Sequence, residues 1–221
     1  MFQSLRPCFA ILAVATLLVP PSLAFETPLP DQAVREAYFL GQRHDGTYPR
    51  LLGKYTKFLP PPKSGPYISS IAFYTPFLQI VQYNDQRVAN YSAQQAELDH
   101  CNQKEFVKVL VLIQLTNSYP ATMIDPAGRR VGSSPLLIPR HHDFWKEFEV
   151  QVFDGEQLLA PSASHSHSNS SCGRGGSCVL TGATIKLEFP ASAFISDSAT
   201  IEVTPPEGDR TLPAARPHRY P

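Results

Sequence analysis

Apolar and polar residues alternate along Phe106 to Thr116, with Val107, Val109, Val111, Ile113 and Leu115 on one side. The other side carries Lys108, Leu110, Leu112, Gln114 and Thr116, apolar in the middle and polar at both ends. One fully apolar face and one half-apolar face at a period of two predict a strand in the centre of a sheet. Trp145 to Phe153 repeats the alternation, setting Phe148, Val150 and Val152 against Glu147, Glu149 and Gln151. Asp154-Gly155 then marks a tight turn, with Gln157 to Ala160 as the returning strand. Val179 to Phe189 and Thr200 to Thr204 read as further strands, and Ile71 to Thr75 and Phe77 to Tyr83 as β-rich runs on either side of Pro76.

Helical spacing precedes this series. Asp31 is placed to open a helix lined by Val34, Ala37 and Tyr38, with Gly41 as its stop. Thr47 and Pro49 open a second, carrying Leu51, Leu52, Tyr55, Phe58 and Leu59 as far as Pro60-Pro61-Pro62. Residues 25–62 thus form a short helical hairpin whose apolar stripe is too small to stand alone, so it must dock on later elements of the chain. A third helix starts at Ser92, with Gln95 three residues on as a capping box, and runs to about His100.

Six to eight short strands with irregular connections predict a mainly β, α+β chain. The expected architecture is an antiparallel β-sandwich over residues 63–206, immunoglobulin-like in outline and preceded by the hairpin. Trp145 has no cysteine pair placed around it as in immunoglobulin domains. Two segments are expected to be disordered. Residues 161–177 are rich in Ser, His and Gly, with no aliphatic side chain larger than alanine. Residues 207–221 are a Pro/Arg-rich tail.

The first twenty-four residues change the picture by assigning a compartment. Arg6, the eleven-residue apolar run Phe9 to Val19 and the small residues Ser22 and Ala24 form a signal peptide cleaved after Ala24. The apolar run is shorter than the about 20 residues a membrane helix needs. The expected product is exported, periplasmic or secreted, and soluble, with no membrane span in its 197 residues. With Arg6 removed, 18 basic residues face 19 acidic ones, which argues against a nucleic-acid partner. Any partner is then an extracytoplasmic protein or ligand.

Candidate chemistry gathers at cysteines and histidines. Cys172 and Cys178 enclose Gly-Arg-Gly-Gly-Ser, flexible enough to close a small disulfide and leave Cys101 free. His165, His167 and Cys172 offer zinc or copper ligands within eight residues, without the spacing of a structural zinc site. His100-Cys101 and His141-His142-Asp143 form a second set, able to hold metal or to act as a Cys/His pair if the two segments meet. Otherwise Cys101 is a buried small hydrophobe at a helix end. Hydrolase elbows, HExxH, phosphate loops and dinucleotide fingerprints are absent. Asn90 and Asn169 open glycosylation sequons. The leading expectation is a non-catalytic binding or structural envelope component with no cofactor. A metal-binding protein using these His/Cys clusters is the alternative, and an unrecognised hydrolase comes third.

Overall fold

The computed structural model describes residues 27–205 apart from 64, 87–90, 117–121, 126, 140, 174–175, 177 and 197. The proposed signal peptide, the tail after residue 206 and Asn90 lie outside the described residues. The chain opens with helices α1 (Asp31–Gly41) and α2 (Thr47–Lys54), then strands β1 (Thr56–Phe58) and β2 (Pro66–Tyr74). Helices α3 (Pro76–Asp85) and α4 (Ala93–Cys101) lead into β3 (Phe106–Leu115). Short strands β4 (Thr122–Ile124), β5 (Arg130–Val131), β6 (Ser134–Pro135) and β7 (Leu137–Pro139) pair among themselves. The rest is β8 (Glu149–Asp154), β9 (Gln157–Leu159), β10 (Ala163–Cys172), β11 (Cys178–Pro190) and β12 (Ala199–Thr204).

The fold is α+β, with antiparallel sheets. One sheet of five strands runs in the order β1-β2-β3-β11-β10 and a second of three in the order β12-β8-β9. Alternation in the sequence decides which face is buried. Val107, Val109, Val111 and Ile113 of β3 are fully buried, beside Ala183, Ile185 and Leu187 of β11. They pack against Val152, Leu159, Ile201 and Val203 of the smaller sheet, and this shared core makes the sandwich. The opposite face of the large sheet meets α2 and α3 through Ala72, Tyr74 and Leu78, backed by Tyr48, Leu52 and Leu110.

The two leading helices do dock on later elements. Val34 of α1 packs with Leu29 and with Ala96 of α4. Gly41 ends α1, but for a packing reason rather than as a simple stop: a Cβ there would lie 2.5 Å from the Val81 carbonyl of α3.

Four sequence expectations need correction. Phe77 to Tyr83 is helix, not strand. Thr75 caps it, its Oγ1 accepting from Leu78 N at 3.2 Å, and Pro76 follows in the first turn. Leu78 and Val81, three residues apart, are then both buried. The second helix stops at Lys54, because Thr56 to Phe58 joins the sheet edge against β2. Trp145 lies in a 3-10 turn over Phe144–Glu147, so Glu147 and Glu149 do not share a strand.

The fourth correction matters most for function. Ala163 to Cys172, inside the segment expected to be disordered, is a strand paired with β11 down to Cys172 opposite Cys178. Its polar composition rules out core burial but not edge pairing, which needs only backbone hydrogen bonds and favours polar side chains. The expected disulfide joins Cys172 to Cys178 with Cα atoms 4.0 Å apart, closing the tip of this hairpin. Because it closes so short a segment, replacing both cysteines by serine should cost only about 2 kcal/mol. Urea denaturation of that variant measures the cost, and peptide mapping without reductant should find Cys101 free.

Candidate functional site

One concavity follows from the faces presented by three elements. On α3, Pro76, Gln79, Ile80 and Tyr83 recur at helical spacing, and on α4 Ala96, Asp99 and His100 do the same. The start of β3 adds Phe106 and Lys108, and together these residues line a cleft of about 520 Å³. That volume falls in the range of small-ligand pockets.

Several polar groups in the cleft are committed to holding its walls. Tyr91 donates its hydroxyl to Asp99 Oδ2 at 2.7 Å, and Gln95 donates to Asp99 Oδ1 at 2.7 Å. The Tyr83 ring stands edge-on to Tyr91 at 5.7 Å. His100 Nε2 lies 2.8 Å from Glu105 Oε1, which also accepts from Leu29 N at 2.6 Å. Glu105 Oε2 accepts from Thr27 Oγ1 at 2.7 Å, so one carboxylate ties the segment before α1 to the mouth of the cleft. Gln79 Nε2 donates to the carbonyls of Phe106 at 2.6 Å and Tyr74 at 3.2 Å, fixing α3 to the sheet.

Asn84 belongs to the α3 wall. It is fully buried and lines the cleft, and its Nδ2 donates to Ile80 O at 2.8 Å. Its Oδ1 has no hydrogen-bond partner among the described residues. Lys108, half-buried at the cleft edge, has its ammonium pKa lowered by burial and then by the nearby Lys186 cation. No serine, threonine or cysteine lines the cleft among the described residues, and the Tyr91 hydroxyl there is held by Asp99.

The residues singled out from sequence lie elsewhere. His165 and His167 stand exposed on β10, at register positions opposite Lys186 and Thr184. His141 and His142 are exposed before the 3-10 turn, and Asp143 pairs with Lys146 Nζ at 3.0 Å. That hydrogen bond holds the Asp143 carboxyl below its ordinary pKa. The meeting of His100 and Cys101 with His141, His142 and Asp143, on which the second set depended, does not occur among the described residues. No group of three or more His, Cys, Asp or Glu residues among those described is placed to hold a metal ion. Cys101 is free but exposed, not a buried hydrophobe. Cys172 is consumed by its disulfide and is no ligand beside His165 and His167. Asn169 of the second sequon sits on β10 with Nδ2 donating to Thr184 Oγ1 at 3.1 Å.

Sequence reasoning misses the cleft, because the strand-favouring residues of α3 hide one of its walls. One signal is present: Asn84 follows Ile80 and Val81 at helical spacing, a polar residue on an otherwise apolar stripe. A second, apolar groove of about 340 Å³ lies between α2 and the outer face of the large sheet, lined by Leu52, Phe58, Ala72, Leu110 and Leu112. No helix among the described residues is long and apolar enough to cross a membrane. No family model, curated protein or solved structure matches the chain.

Proposed function

We propose that the chain is an exported, non-catalytic binding protein whose ligand seats in the cleft between α3, α4 and the start of β3. The observation that carries this reading is the cleft itself, about 520 Å³ in volume with Tyr83, Tyr91 and Phe106 among its lining residues. The aromatic side chains of Tyr83, Tyr91 and Phe106 supply the apolar contact a ligand needs. Export is supported by the leader-like residues 1–24 and by the disulfide, a bond that persists in oxidising compartments.

Thermal melting against a panel of sugars, amino acids and short peptides tests the reading. At least one class should raise the melting temperature, and Tyr83→Ala should abolish that rise. Asn84→Leu by itself should change stability by no more than about 1 kcal/mol, since it removes an unpaired acceptor together with one hydrogen bond. A panel without a binder, or binders indifferent to Tyr83→Ala, overturns the assignment.

A further inference from the structure

We propose that His165 and His167 form a two-imidazole site for Cu²⁺, and more weakly for Zn²⁺, on the exposed face of β10. This rests on the strand itself and is independent of the cleft. Residues two apart on a strand project from the same face about 7 Å apart. Two imidazoles at that separation converge on one ion at the roughly 2.0–2.1 Å that metal–histidine bonds require. The backbone beneath them is held in register: His165 lies opposite Lys186 and His167 opposite Thr184. The disulfide at Cys172 and Cys178 closes the same hairpin at its tip.

The neighbours leave the pair available. Lys186 is bound to Glu188 at 2.7 Å, which offsets the cation facing His165. Thr184 and Asn169 bond to each other at 3.1 Å. Both histidines are exposed, and β10 is an edge of the large sheet among the described residues, so water can fill the remaining coordination positions. Imidazole sites prefer Cu²⁺ over the other divalent first-row ions, which sets the order of affinity. With two protein ligands the ion is held reversibly at the surface and the fold does not depend on it.

Titration calorimetry of the full chain, without a histidine tag, against CuCl₂ and ZnCl₂ tests the site. The expected result is one tight Cu²⁺ per chain. His165→Gln or His167→Ala should weaken it roughly 10- to 100-fold, the range seen when even a supporting partner of a metal ligand is lost. The decisive variant combines His167→Ser with Ser166→His. It keeps the histidine count but places the two rings on opposite faces, and it should lose as much affinity as His167→Ala. His141→Ala with His142→Ala should leave binding unchanged. Copper EPR should show two coupled nitrogens in the parent and one in His165→Gln, whose melting temperature reports that the hairpin is intact. Parent-like binding by the spacing variant, or loss of the tight site with His141 and His142, overturns the proposal.

Discussion

Ile113→Ala is expected to destabilise the protein by roughly 2–5 kcal/mol, the range for truncating a large aliphatic side chain in a packed core. Ile113 is fully buried near the end of β3, the central strand of the large sheet. It contacts the core shared with the smaller sheet, so the lost methyl groups leave a cavity between two layers that hold each other in place. Leu110 lies on the opposite face of the same strand and is only half-buried. Leu110→Ala should therefore cost clearly less, and equal losses in urea denaturation would mean that the core lies on both faces equally.

Gly182→Ala should be comparably damaging for the opposite reason. A Cβ at Gly182 would lie 2.1 Å from the Ile113 carbonyl oxygen and 3.1 Å from its carbon, both backbone atoms. Neither can rotate away, so β11 must separate from β3 at the end of their ladder, where Gly182 lies opposite Gln114. A loss of about 3 kcal/mol or more is expected, at the upper end of overpacking effects. Gly53→Ala provides the internal control. Nothing lies within 4 Å of a Cβ there, and the position is in α2, so the change should stabilise by about 0.5–1 kcal/mol. Equal melting temperatures for the two variants would show that β3 and β11 are free to part at Gly182.

Strands with a long alternating pattern are legible because burial on one face leaves its period in the sequence. β3, β11 and β12 therefore fall within a residue or two of their expected limits. Asp154-Gly155 likewise makes the β8–β9 turn, although its carboxylate also anchors a distant loop. Asp154 is buried and accepts from Ile195 N at 3.0 Å and Ser196 N at 3.1 Å. That anchor is illegible in the sequence, since its two ends lie about forty residues apart in the chain. Helix α3 escapes the pattern because Phe, Ile, Val and Tyr favour strands in isolation, while the Thr75 cap and burial of Leu78 and Val81 outweigh that preference here.

Local pattern and composition thus determined the α+β class, the apolar face of the central strand, the capped helix α4 before β3 and the pairing of Cys172 with Cys178. These follow from forces acting within a few residues: period, capping, turn chemistry and the short reach of a disulfide. Tertiary structure alone decided the rest. It made an edge strand of a Ser/His segment, because the hydrogen bonds that order it come from β11. It kept His100 and Cys101 from forming a metal-holding group with His141 and His142, and set His100 against Glu105 instead. It also brought α3, α4 and β3 together around Asn84, since a cleft is the space left between packed elements and no single segment encodes it.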